Sequence, residues 1–249
     1  VLRSGYYPDD SNRRIINEEY HQYIFIQEDR FKLLSGVARM NKGKSHFNGD
    51  NFLISRLECG KAIAAIADGM GRGKRAYIES RMVIELMENC IDAGFDEKAS
   101  IDLINSAYIA GGGTGNPVTM DMSVIDCQSG YMHCMKLGAV STFIRRDKWV
   151  EIIQSTTLPM GVLEQVDYDC TTKKLYDGDY IVMVSDGVLD NIPCVNKEER
   201  MAQMIHALTI REPSAMAEKL LEQSLAYNDM KASDDCTVLV LGLFDTYEK

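Results

Sequence analysis

Four places in the chain put aspartate at the end of a predicted strand or in the turn after it. They are Asn48-Gly49-Asp50-Asn51, Ala67-Asp68-Gly69-Met70-Gly71, Ser185-Asp186-Gly187 and Ser233-Asp234-Asp235. In the middle two, apolar runs at 63–67 and 180–184 lead straight into Asp-Gly. A buried strand aims the carboxylate, and a glycine, having no Cβ, lets its carbonyl come close to a ligand. Carboxylates gathered in a poorly solvated cleft repel one another and favour protonation unless a cation joins them. Hard divalent ions suit such a set: magnesium and manganese prefer oxygen ligands in octahedral array and keep several waters. A single Asp-Gly is a common turn. Four such places in order, one running on into Gly71-Arg72-Gly73, form the pattern of a site.

The elements that must position these residues follow from periodicity. Short apolar runs between Gly and Asn predict strands at 33–39, 52–57, 61–67, 122–126, 131–137, 142–146, 150–153, 179–185 and 237–244. Glu58-Cys59-Gly60 and Gln128-Ser129-Gly130 have the form of hairpin turns, which predicts antiparallel pairing. A helix is predicted over 74–93, where Ile78, Met82, Leu86 and Cys90 repeat at i+4 as an inner stripe and Gly94 supplies the stop. Asp96 is placed to cap a second helix, with Leu103, Ile104, Ala107 and Tyr108 inward. Two more helices are predicted, at 197–208 and after Pro213, the latter carrying Leu220, Leu221 and Leu225. Strands in hairpins with helices in separate pairs predict an α+β protein with helices on the outer faces of antiparallel sheets. Residues 1–30 read as a linker followed by a short helix, and no boundary interrupts the chain after residue 31.

Composition narrows the function. The 249 residues are 45% hydrophobic and 26% charged, an ordinary globular balance. With 27 basic against 37 acidic residues the net charge is −10. That disfavours nucleic acid and anionic membrane surfaces, whose binding rests on Lys and Arg. The seven cysteines are odd in number and form no CxxC, so buried reduced thiols are expected, including Cys127 and Cys134 beside His133. No apolar run approaches the roughly 18 residues of a membrane span. The chain starts at Val1 rather than Met, as a piece of something longer would.

The ordered set of motifs resembles a known family. It comprises Asp68-Gly69-Met70-Gly71-x-Gly73 before a helix with Glu79-Ser80, then Thr119-Met120-Asp121-Met122 and Lys136-Leu137-Gly138-Ala139. Leu158-Pro159-Met160-Gly161, Ser185-Asp186-Gly187 and Asp234-Asp235-x-Thr237 complete it. Together these are similar to the type 2C family of metal-dependent serine/threonine protein phosphatases, and within it to the sporulation-type members. The likeness runs from residue 33 to residue 243, and it is the order of the motifs that makes it specific.

The resemblance implies a four-layer α/β/β/α sandwich of two antiparallel sheets flanked by helices, over residues 31–249. The short span between Gly161 and Asp179 leaves no room for the flap subdomain of many bacterial relatives. It implies hydrolysis of phosphoserine or phosphothreonine on a protein, such as a small anti-sigma-factor antagonist, with manganese or magnesium as cofactor, two ions per site. Carried over residue by residue, Asp68 bridges both ions, the Gly69 carbonyl binds one, Asp186 and Asp234 hold the second, and Asp50 reaches them through water. Asp68 and Asp186 are the expected catalytic pair, and Asp235 stands where relatives often carry Asn. Ions sharing a water would bring its pKa near neutral and make it the nucleophile, in line on phosphorus. They also invert the sign of the cleft, so that an acidic chain can hold an anion.

The chain departs from the family at Met70, where many eukaryotic relatives carry a His proposed as the acid for the leaving group. No phosphate-binding Arg transfers, and Arg72, Lys74 and Arg75 fit a solvated helix face. In relatives the helices after Asp-Gly move and pair two subunits. Ile78, Met82 and Leu86 are accordingly the expected regulatory stripe, a homodimer is an expected assembly, and this piece alone is expected to bind metal weakly. The expected place is the cytoplasm, as the cytosolic domain of a longer membrane-anchored protein, with no nucleic acid and no membrane contact within this chain. Two other classes fit the sequence less well. A catalytically silent binding module on the same fold has no need of the retained carboxylates. A nucleotide cradle at Gly69-Met70-Gly71-Arg72-Gly73 lacks the GxGxxG spacing and its βαβ setting.

Overall fold

The computed structural model describes residues 6–8, 25–43, 46–57, 60–71, 73–112, 116–147 and 149–246. Twelve strands among them form two five-stranded sheets and one short pair, antiparallel throughout. The short pair joins β1 (Tyr6–Pro8) to β2 (Phe25–Gln27). These strands fall in the stretch expected to be a linker and short helix; residues 1–5 and 9–24 of that stretch lie outside the described residues.

The first large sheet has the order β10-β7-β6-β5-β4, built from β4 (Asp50–Arg56), β5 (Lys61–Gly69), β6 (Val118–Asp126), β7 (Tyr131–Leu137) and β10 (Asp169–Lys174). The second has the order β3-β12-β11-β8-β9, from β3 (Phe31–Met40), β8 (Thr142–Arg146), β9 (Trp149–Ile153), β11 (Tyr180–Val184) and β12 (Cys236–Asp245). Alternate residues of the inner strands face opposite ways, so Ile66 and Ala64 of β5 meet Ile181, Met183 and Leu239 of the other sheet, while Ala65 and Ala67 face the helices. Helices α1 (Lys74–Asp92) and α2 (Glu97–Ala107) cover the first sheet; α3 (Asp186–Asp190), α4 (Lys197–Ala207) and α5 (Pro213–Leu225) cover the second. This is the expected four-layer α+β sandwich.

Three local expectations are corrected. The stripe Ile78, Met82, Leu86, Cys90 faces inward only in part: Cys90 is buried and Met82 and Leu86 pack half-buried against the core, but Ile78 is 48% exposed, and the buried face runs through Ala76, Ser80, Val83, Ile84 and Met87. The first turns of α1 lie on glycine backbone, where only small residues fit, and that face carries no apolar signal. In α2, capped by Asp96 as expected, Leu103 and Ala107 point outward while Ile101, Ile104, Asn105 and Tyr108 are buried. The span between Gly161 and Asp179 holds β10, a polar edge strand that periodicity does not reveal.

Candidate metal centre

Asp50 opens β4 and Asp68 nearly closes β5, and the register sets them directly opposite one another. Asn48 fixes the turn before Asp50 by accepting its backbone N–H at 2.9 Å. From the second sheet, β11 delivers Ser185 and Asp186, and the turn into β12 delivers Asp234 and Asp235. The two chain segments are laced together: Ser185 N–H donates to the Thr237 carbonyl at 3.0 Å, and Thr237 N–H to the Ser185 hydroxyl at 2.9 Å. The four sequence-predicted aspartates thus come two from each sheet and meet at one end of the sandwich, close enough for their charges to act on one another.

Glycine decides how closely the pieces pack. A Cβ on Gly69 would stand 2.3 Å from the Ala76 carbonyl oxygen, so α1 can rest on the metal-side turn only because Gly69 has none. The Ser80 hydroxyl donates to the carbonyls of Gly49 and Ala76, and Asn51 donates to the Tyr77 carbonyl and to Ser80. The first two turns of α1 are therefore hydrogen-bonded to the Gly49–Asn51 turn and packed on Gly69, whose own N–H donates to the Gly49 carbonyl.

The electrostatics have one sign. Asp50 is 1% exposed, and neither of its carboxylate oxygens has a hydrogen-bond partner among the described residues. The hydroxyls of Thr237 and Ser185 stand near enough to favour its charged form without reaching hydrogen-bond geometry. Burial still wins, with Asp186 and Asp235 adding to it, and the carboxyl is pushed up to about 6. Asp68 is pushed up to about 9, first by burial and then by the charges of Asp50, Asp186 and Asp234. Asp186, the most open of the four, is raised by lost solvation, by Asp190 and by Asp234, and partly restored by the Gly187 N–H. The mutual repulsion of these carboxylates is the charge that a bound cation would offset.

The donor set fits a hard divalent cation: oxygens only, unpartnered at Asp50, and mutually repulsive without positive charge. Among the described residues no three His, Cys, Asp or Glu side chains already close around a single point, so the contacts run pairwise. Asp235 does different work. Its two oxygens accept the backbone N–H groups of Lys42 and Gly49, each at 2.7 Å, which ties the β12 end to the β3–β4 turn. Lys42 also brings its ammonium to 3.5 Å from Asp234, and Arg39 donates to the Asp50 carbonyl. Sequence reasoning assigned no role to Asn48, Lys42 or Arg39: the first two lie in the loop between β3 and β4, and Arg39 stands near the end of β3, where periodicity says nothing of its partner. Of the cations considered, Lys74 is exposed, Arg75 pairs with buried Glu79 at 3.3 Å, and Arg72 lies outside the described residues. Met70 is 44% exposed, its backbone N–H held by the Pro117 carbonyl.

The raised carboxyls tie stability to pH. A carboxyl raised on folding gives stability that is full below its ordinary value of 3.8 and is lost as pH climbs through its folded value, about 6 for Asp50 and about 9 for Asp68. In the presence of chelator the melting temperature is expected to fall steadily from about pH 5 to about pH 9. Excess manganese is expected to flatten that slope. A melting temperature that rises with pH in chelator contradicts the raised carboxyls of this cluster.

Comparison with known proteins matches residues 59–244 to the family model of stage II sporulation protein E. The stage II sporulation protein E of Bacillus subtilis is 31% identical over 225 residues, covering 90% of this chain and 27% of that protein. The chain thus spans about a quarter of that relative's length. Among solved structures, the PP2C phosphatase domain of the Bacillus subtilis protein with a fragment of its regulatory domain superposes with a TM-score of 0.84 at 30% identity, over 90% of this chain and 67% of that one. RsbX in complex with magnesium shares the fold, with a TM-score of 0.66 at 20% identity, over 87% of this chain and 98% of that one.

Proposed function

The chain belongs to the stage II sporulation protein E family and carries its type 2C phosphatase domain, and from that premise we propose that it is a manganese- or magnesium-dependent phosphatase acting on phosphoserine or phosphothreonine of a small protein regulator, such as an anti-sigma-factor antagonist. The observation that carries this reading is the pair Asp50–Asp68 on one sheet meeting Asp186 and Asp234 from the other, with both oxygens of buried Asp50 unpartnered among the described residues. Keeping such a cluster costs stability, and a module that only binds would gain by losing it. In this reading Asp68, the Gly69 carbonyl, Asp186 and Asp234 would hold the divalent ions, and Asp50 would act on them through water. Divalent ions bound there supply an acidified water as nucleophile and offset the charge of the phosphate.

The chain's own residues then do four things. Asp50 and Asp68 present charge from a rigid two-strand register. Asp235 and Asn48 hold the turns that carry the ligands. The bonds from Ser80 and Asn51 tie α1 to the turn of Gly49, which supports regulation through that helix; its first turns face inward through Ala76 and Ser80, with Met82 and Leu86 half-buried further along and Ile78 exposed. Met70 offers no proton, so the leaving group takes its proton from water. Among the described residues no helix is long and apolar enough to cross a membrane, and the reading extends to a cytoplasmic domain of a longer, membrane-anchored protein.

The test is release of phosphate from a phosphoserine peptide and from p-nitrophenyl phosphate, with and without manganese. Turnover that needs the metal is expected, and Met70→Ala is expected to stay within about tenfold, since a thioether transfers no proton. Metal binding without turnover on either substrate overturns the enzyme in favour of a silent module.

A further inference from the structure

Between the sheets, one rung in from the metal end, lies a buried ionic pair that the reaction does not use. Lys136 of β7 and Asp121 of β6 are cross-strand partners, with side chains 1% and 3% exposed. The Lys136 ammonium donates to an Asp121 oxygen at 2.5 Å and to the Val140 carbonyl at 2.6 Å. The same Asp121 oxygen accepts the hydroxyl of Thr142, which belongs to β8 of the other sheet. Cys134 lies at 3.8 Å from the second oxygen. Lys136 is therefore neither a strand-edge side chain reaching for water nor a residue of the cleft.

Its place in the fold gives it leverage. Asp121 is paired with Ile66, and the next inward-facing pair along the same strands is Thr119 with Asp68, about 7 Å away by strand geometry. Thr142 is paired with Met183, three residues before Asp186. The Lys136 carbonyl accepts from Thr157, whose hydroxyl in turn accepts the Gly138 N–H. These bonds run from β7 and β6, the latter paired with the strand that bears Asp68, across the gap to β8, which is paired with the strand that leads to Asp186. The surrounding contact between sheets is aliphatic, through Ile66, Met183 and Leu239. Such packing resists separation and has little directional preference, whereas hydrogen bonds to a carboxylate fix both distance and angle.

Resting on the metallophosphatase reading, we propose that Lys136, Asp121 and Thr142 are positioning residues that set the spacing between the two halves of the carboxylate site. Stability alone does not call for the pair, because apolar replacement of a buried ion pair at equal volume is often neutral or stabilising. The test is the double variant Asp121→Leu/Lys136→Met beside Thr142→Val. Each is measured for its melting temperature in chelator and for manganese binding by calorimetry without substrate. The double variant is expected to melt at or above the parent temperature while its manganese Kd rises about tenfold or more, in the range seen when groups behind metal ligands are lost. Thr142→Val, which removes only the bond between sheets, is expected to raise Kd by about threefold to tenfold. If the double variant does not fold, Thr142→Val decides. Folded variants with the parent Kd overturn the clamp and leave the metal site standing. A parent chain that binds no manganese overturns both readings.

Discussion

Asp68→Asn is expected to lower metal-dependent turnover by about 10³-fold or more, because water activation at neutral pH depends on the ions the residue holds. The amide keeps the shape of the carboxyl and loses the charge that two cations would share. The variant should fold: Asp68 is pushed up to about 9 by burial and by three neighbouring carboxylates, so it is protonated and neutral near pH 7 when no cation is present. Replacing a neutral acid by a neutral amide leaves that state nearly unchanged in charge. The melting temperature in chelator at pH 8 is therefore expected to match or exceed the parent value, while the rise on adding manganese disappears. Chelation of the parent chain is expected to reproduce the loss of turnover, and restoring manganese to reverse it. Near-parental turnover in Asp68→Asn sinks the assignment of a bridging ligand. Loss of turnover with loss of folding sinks the electrostatic account of Asp68.

What the amino-acid pattern reveals, and what it hides, divides along physical lines. Asp68 and Asp186 were legible because each stands at the end of a run of apolar residues, such as Tyr180–Val184, all five of which are buried. A strand covered on both faces must end where polarity begins, and the Asp stands there. The inner face of α1 was not legible. Hydrophobic periodicity weights Ile78, Met82 and Leu86, whereas the contact with Gly49 and Gly69 selects for smallness, through Ala76 and Ser80. Strand β10 was missed for the opposite reason: Asp-Cys-Thr-Thr-Lys-Lys lies at a sheet edge, and its burial is held by backbone pairing with β7 rather than by apolar side chains. The setting of Lys136 was hidden because its partner stands fifteen residues away on the neighbouring strand, and register is a property of the assembled sheet.

Gly187→Ala tests whether the two acidic turns of the second sheet are a single unit. Gly187 sits inside α3, where alanine is ordinarily the better residue by about 1 kcal/mol, so local propensity alone expects a gain in stability. Packing opposes it. A Cβ there would stand 2.0 Å from the Asp235 carbonyl oxygen and 3.3 Å from the Asp234 carbonyl carbon, and no flexible side chain can yield to make room. Either α3 carries Asp186 outward or the β12 end carries Asp234 and Asp235 with it. The second movement also breaks the bonds from Lys42 and Gly49 to Asp235, which releases the turn that presents Asp50. Overpacking of this kind costs about 1–3 kcal/mol, enough to outweigh the helical gain, so a lower melting temperature is expected. The effect on function should be far larger than the effect on folding, because displacement by about 1 Å takes a carboxylate out of reach of an ion that needs ligands at roughly 2.0–2.1 Å. Manganese affinity is expected to fall by about 100-fold, and turnover at limiting metal to fall with it. The Asp68→Asn variant serves as the comparison: it loses affinity with no loss of stability, whereas Gly187→Ala loses both. A Gly187→Ala protein with parental manganese affinity means that the turns adjust independently and that contact between Gly187 and Asp235 does not set the site.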